Sequence, residues 1–123
     1  MPEITVDMSV TFDPRKNWYE SAMLNTATRY WARDIEVTDD GITLIDDVEN
    51  HTRAATWQNI ADAIVLIASG RYVRHTGETA PLNDPYTVQA ARDLVHRPAD
   101  ADWDADFDDL VLQQAALGRS LYG

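Results

Sequence analysis

Ten residues, "DADWDADFDD" at positions 100–109, carry six carboxylates: Asp100, Asp102, Asp104, Asp106, Asp108 and Asp109. Three kinds of chemistry use such a run. The first is an oxygen cage for a cation. Counted as a calcium loop from Asp100, the carboxylates fall on positions 1, 3, 5, 7 and 9. The sharp turn at position 6 calls for glycine and the closing ligand at position 12 for a bidentate glutamate, but Ala105 and Val111 stand there. No metal site is assigned. The second reading is the start of a helix, where carboxylates satisfy free N–H groups and oppose the positive end of the helix dipole. Asp102 or Asp104 is then the cap, and Asp106, Asp108 and Asp109 face outward. The third is a docking surface for a basic partner, in the extreme an imitation of nucleic acid. Alternate carboxylates on an extended segment lie about 6.5 Å apart on one side, close to the spacing of phosphates.

Elsewhere the residues offer less chemistry. His51, His75 and His96 stand at unrelated spacings, and no nucleophile elbow, phosphate loop or zincin motif is present. "DDVENHTR" gathers Asp46, Asp47, Glu49, His51 and Arg53, the one mixed polar cluster, with His51 as its only candidate base. Nothing beside it supplies a nucleophile, so no catalytic residue is assigned. The absence of cysteine excludes thiol nucleophiles, disulfides and Cys-ligated metals, and no cofactor is expected.

The elements that must carry these residues are legible from patterning. Residues 4–12, "ITVDMSVTF", alternate apolar and polar side chains as one half-buried strand does. Asn17 and Glu20 have the spacing of a capping box, and Tyr19, Ala22, Met23, Thr26, Ala27, Tyr30 and Trp31 recur at helical intervals, predicting a helix over 17–33. Its aromatic ends, Trp18/Tyr19 and Tyr30/Trp31, read as core. Asp40-Gly41 between β-prone runs predicts a hairpin with a type I′ turn. Thr56 caps a second helix that ends at Gly70 and is apolar on most sides, which makes it the central helix. Residues 71–83 read as a connection with a short edge strand at Tyr72-Val73. Asp84-Pro85 opens a third helix that stops before Pro98. A fourth runs from the acidic stretch to Gly118, with Phe107, Leu110, Val111, Gln114 and Leu117 on its inner face. The fold class that results is α+β: residues 1–123 as a single domain, a small antiparallel sheet packed with about four helices.

The net charge of −11, with a single lysine, repels nucleic acid and anionic membranes and favours a basic partner or solubility alone. A halophilic or GC-rich genome biases composition the same way. No apolar run spans a bilayer and the N-terminus lacks the basic and apolar regions of a signal peptide, so a cytoplasmic location is expected.

"NWYESAMLNTATRYW", the Asp-rich entry and "LQQAALGRSLYG" together resemble the small acidic proteins encoded by phages of actinobacteria. That resemblance transfers no catalytic residue. It implies an accessory protein, non-enzymatic, that binds and redirects one host protein in the host cytoplasm. On this reading the six Asp side chains are the partner-binding residues, and replacing Asp100, Asp106, Asp108 and Asp109 by Asn would leave the fold intact. The rival reading is a structural or self-assembling homo-oligomer, with exposed aromatics such as Trp18 and Tyr122 at its interface.

Overall fold

The computed structural model describes residues 4–5, 11–28 and 30–122. Its chain begins with two short strands, β1 (Ile4–Thr5) and β2 (Thr11–Phe12). They pair antiparallel, Ile4 opposite Phe12, so the stretch doubles back and is not one strand. An alternating pattern is the same on one straight strand and on two arms of a hairpin. Val6, Met8 and Val10 of that expected strand lie outside the described residues.

The helix expected over 17–33 is not formed. Asp13, not Asn17, caps a single turn, α1 (Pro14–Asn17), accepting from the Arg15 and Lys16 amides. A 3₁₀ turn (Tyr19–Ser21) and a short helix α2 (Leu24–Ala27) follow. The break has a physical cause. In a continuous helix the Met23 amide would bond the Tyr19 carbonyl. Here the Ala22 amide takes that carbonyl, and the Met23 amide donates to the Asp108 carboxylate instead. Of the expected stripe's described side chains only Trp31 is buried, and Tyr19, Ala22 and Ala27 are half-buried. Met23 and Tyr30, the latter read as core, are about half exposed at 49% and 50%. Trp18 and Leu24, outside the stripe, are buried instead on a folded path around the last helix.

A three-stranded antiparallel meander comes next: β3 (Ala32–Val37), β4 (Gly41–Asp46) and β5 (His51–Thr56). A bulge between Arg33 and Glu36 holds Asp34 in the left-handed region at φ +53°. At the first hairpin neither Asp39 nor Asp40 has a positive φ, so the turn is not type I′. Gly41 serves a different purpose. A Cβ there would lie 1.9 Å from the Ala55 carbonyl oxygen, so glycine lets β4 and β5 close up. Strand β5 was not visible in the sequence, because "HTRAAT" is an edge strand with one buried residue, Ala55.

Helix α3 (Trp57–Ala68) is the centre of the fold, packed against the next two helices, β5 and β6. Thr56 and Asn59 form a reciprocal capping box, and Trp57, Ile60, Ala61, Ile64 and Ile67 are buried. Residues 71–83 include a further hairpin, β6 (Arg71–Val73) with β7 (Thr79–Pro81). Asp84 caps α4 (Pro85–His96), which turns Val88, Ala91, Leu94 and Val95 inward. Asp104 caps α5 (Ala105–Leu117), and Gly118 ends it at φ +74°. The architecture is α+β, with one apolar core shared by the meander and the helices.

Candidate functional site

The acidic stretch is divided by its own periodicity. Asp100 closes a 3₁₀ turn (Pro98–Asp100), Asp102 lies in the extended link, Asp104 accepts from the Phe107 amide at 3.1 Å, and Asp106 sits in the first helical turn. These four are exposed, and among the described residues none forms an ion pair. Asp102 and Trp103 line an open groove of about 310 Å³ together with Asn17 and Ser21. The Trp103 ring is anchored against Phe107, centroids 5.9 Å apart.

Asp108 and Asp109 do not face outward. Asp108 is 0% exposed, and its two oxygens accept from the Trp18 indole N–H and the Met23 amide, both at 2.9 Å. Burial pushes this carboxyl up to about 6, although the bonds from the Met23 amide and the Trp18 indole pull the other way. Asp109 is half-buried. It accepts from the Trp31 indole at 2.8 Å, from the Gln113 amide at 3.1 Å and from the Tyr30 hydroxyl. Burial and the adjoining Asp109 charge hold that hydroxyl above the usual phenol range. Two neighbouring carboxylates therefore each hold one indole from the N-terminal segment. A signal existed: a buried tryptophan N–H needs an acceptor, and the Asp run supplies the acceptors closest to the apolar face of α5.

These placements correct three expectations. Asp108 cannot contribute to an exposed acidic surface. A four-Asn replacement that includes Asp108 and Asp109 alters acceptors of buried and half-buried bonds as well as surface charge, so it does not probe an exposed surface alone. Trp18 is fully buried rather than an exposed aromatic, and Tyr122 is packed against Trp31.

In the second cluster, Asp46, Glu49, His51 and Arg53 do come together. Arg53 reaches Glu49 at 3.2 Å and Asp46 at 3.5 Å, and His51 lies 3.6 Å from Glu49 on the surface. Asp47 is turned away to Arg33. Asp46 is fully buried and closes the β4–β5 loop by accepting from the Val48 and Glu49 amides. Burial raises its pKa, but bonds from the Tyr122 hydroxyl and those amides, with the Arg53 charge, outweigh it and the net shift is downward. This is the chemistry of a braced turn. His75 and His96 are exposed, and among the described residues no group of three His, Asp or Glu side chains converges as a metal site.

Helical spacing places Gln114 on the inner face of α5 and gives no signal for Gln113. Both are buried. The Gln114 amide accepts from the Val73 N–H at 2.9 Å and donates to the Val73 carbonyl at 2.8 Å, as a paired strand would.

The fold and site thus define a small α+β protein with a divided acidic helix entry. No family model, curated protein or solved structure matches the chain. Among the described residues no helix is long and apolar enough to cross a membrane.

Proposed function

We propose that this chain is a non-enzymatic binding protein, an accessory factor of a phage or mobile element, that docks on a basic surface of a host protein. The observation that carries the reading is the outward half of the acidic run. Asp100, Asp102, Asp104 and Asp106 stay exposed on one short segment without ion-pair partners among the described residues. The groove that Asp102 shares with Trp103 offers a carboxylate beside an indole, two groups that attract a guanidinium or ammonium. Four carboxylates make a shorter footprint than the six of the sequence. A basic protein patch suits them better than the longer charge ladder that imitation of nucleic acid requires.

The test is a full-length variant with Asp100, Asp102 and Asp106 replaced by Asn, and Asp104 retained because it caps α5. Its melting temperature should match the parent, since each side chain is exposed. Binding to the protein recovered by pull-down from a host lysate should weaken, and the parent's binding should fall with salt, because exposed charges are screened over about 8–10 Å. Equal affinity of the two proteins at low salt would refute the reading.

A further inference from the structure

The cations of this acidic chain are unevenly placed. Arg15, Arg33, Arg53 and Arg97 each meet a carboxylate at 2.7–3.9 Å. Arg71, Arg74, Arg92 and Arg119 are exposed and, among the described residues, meet none. These four gather at one end of the fold. Arg71 opens β6 and Arg74 follows it. Arg92 of α4 donates from Nε to the carbonyl of Ala68, the last residue of α3, at 2.8 Å. Arg119 donates from Nη1 to the His75 carbonyl at 3.4 Å, and the Ser120 amide bonds the Val73 carbonyl at 3.0 Å, beside Arg74. Two guanidinium groups are thus held by carbonyl oxygens, which orient them and leave their charge uncancelled. Glu78 lies across the turn from Arg74, its carbonyl accepting from the Arg74 amide at 2.8 Å, and its carboxylate pairs with none of the four.

The exposed carboxylates Asp100, Asp102, Asp104 and Asp106 stand at the other end of α5. The thirteen residues of that helix span about 20 Å, beyond the reach of Arg119 within one copy. Each set lacks the counter-charge that the other displays. Their layouts also correspond. The backbone is extended at Ala101 and Asp104, and alternate carboxylates on such a segment lie about 6.5 Å apart, in a row. The arginines are likewise dispersed, over a hairpin and two helix ends, which suits a row of carboxylates rather than one small anion.

We propose that the arginine end receives residues 100–106 of a second copy, so that copies join head to tail. The two contacting faces differ, so the association adds copies one after another into a chain or a ring. Every copy also carries a net charge of −11, and that repulsion has to be screened before two ends can meet. Association should therefore be strongest near physiological salt, where charges act over about 8 Å. It should weaken at low salt, where they act over about 30 Å, and at about 1 M, where about 3 Å of screening reaches the contact itself. A second copy so placed covers the segment that docks on a host protein in the reading above. No host protein enters this inference or its test, so either can fail alone.

Light scattering on the full-length protein, followed up to millimolar concentration, tests this with the parent and two variants. One variant has Asp100, Asp102 and Asp106 replaced by Asn, and the other has Arg71, Arg74 and Arg119 replaced by Gln. Arg92 is kept because it holds the Ala68 carbonyl. The parent's mass should rise with concentration past that of a dimer. Each variant alone should associate about tenfold or more weakly, because exposed charge pairs each contribute modestly and three are removed. An equimolar mixture of the two variants should form a heterodimer and nothing larger, since it holds one intact face of each kind. A parent that stays monomeric at every salt concentration overturns the proposal, as does a mixture no more associated than its components. So does either variant associating as well as the parent, or association that grows steadily up to about 1 M salt, where charge contacts are screened. Inorganic polyphosphate is the control anion. If it binds the parent but not the arginine variant while the parent stays monomeric, the arginine end belongs to another anion and the proposal fails. Should the arginine variant not fold, Arg74→Glu takes its place in the mixture with the same outcomes, since that side chain is exposed.

Discussion

Replacing Asp108 by Asn changes a buried charge into a neutral group of the same shape, and the structure gives the sign of the effect. The folded carboxyl titrates at about 6 against an ordinary value of 3.8. At about 1.4 kcal/mol per unit, keeping it ionised at neutral pH costs the folded state about 3 kcal/mol. Asn avoids that cost. It also surrenders one of two hydrogen bonds, because its NH₂ must face either the Trp18 indole or the Met23 amide, and an unsatisfied buried donor costs about 1–3 kcal/mol. The two terms nearly cancel at pH 7, so the variant should be close to the parent there or slightly more stable. The pH dependence does not cancel. A carboxyl whose folded pKa is raised binds its proton more tightly when folded, so stability rises as pH falls from about 6 towards 3.8 and is flat above that window. At pH 5 the parent should recover about 1.4 kcal/mol that the variant cannot, equivalent to about 5 °C in melting temperature for a chain of this size. Asp46 and Asp93, whose values are lowered, lose their contributions only below 3.8 and stay outside the comparison. Urea unfolding followed by tryptophan fluorescence at pH 7 and pH 5 measures the difference. A gap between the two proteins that stays constant over this range would show that Asp108 is not titrating in a buried site.

Further outcomes test other parts of the structure. Ile64→Ala in the fully buried core of α3 should lose about 2–5 kcal/mol of a total near 5–15, and an unchanged melting temperature would remove α3 from the centre of the fold. Gly41→Ala should cost about 1–3 kcal/mol or more, since its Cβ meets the Ala55 carbonyl, and chemical unfolding would report it. Asp104→Ala should cost about 1 kcal/mol through loss of the α5 cap, whereas Asp102→Asn should change stability by less than about 0.5 kcal/mol, both read by thermal melts.

Helices α3, α4 and α5 were legible in the sequence because their signals are local. Thr56, Asp84 and Gly118 cap or end them as residue chemistry dictates, and their apolar spacing survives in the buried faces. The stretch before the sheet was not legible. Its helical spacing is realised only in short separate turns, because Asp108 takes the Met23 amide from 85 residues away, and a pattern read along the chain cannot contain that bond. Likewise the acidic entry was half legible. Capping pointed to Asp102 or Asp104, of which Asp104 is the cap, while Asp108 and Asp109 looked solvated because carboxylates usually are, and only the acceptors required by Trp18 and Trp31 turn them inward. Edge strand β5 lacked the alternation that reveals a half-buried strand.

The pairing of Trp18 with Asp108 and of Trp31 with Asp109 also sets an order in biogenesis. Each indole is made about eighty to ninety residues before the carboxylate that holds it. At a synthesis rate of about 5–20 residues per second, the N-terminal segment waits roughly 4–18 s for its acceptors. During that interval the meander and α3 can already associate, since their contacts are near in sequence and close quickly. The first turn can settle on α3 before then, but the two indole–carboxylate bonds close only after α5 has been made, and until that point both tryptophans lack the acceptors that hold them.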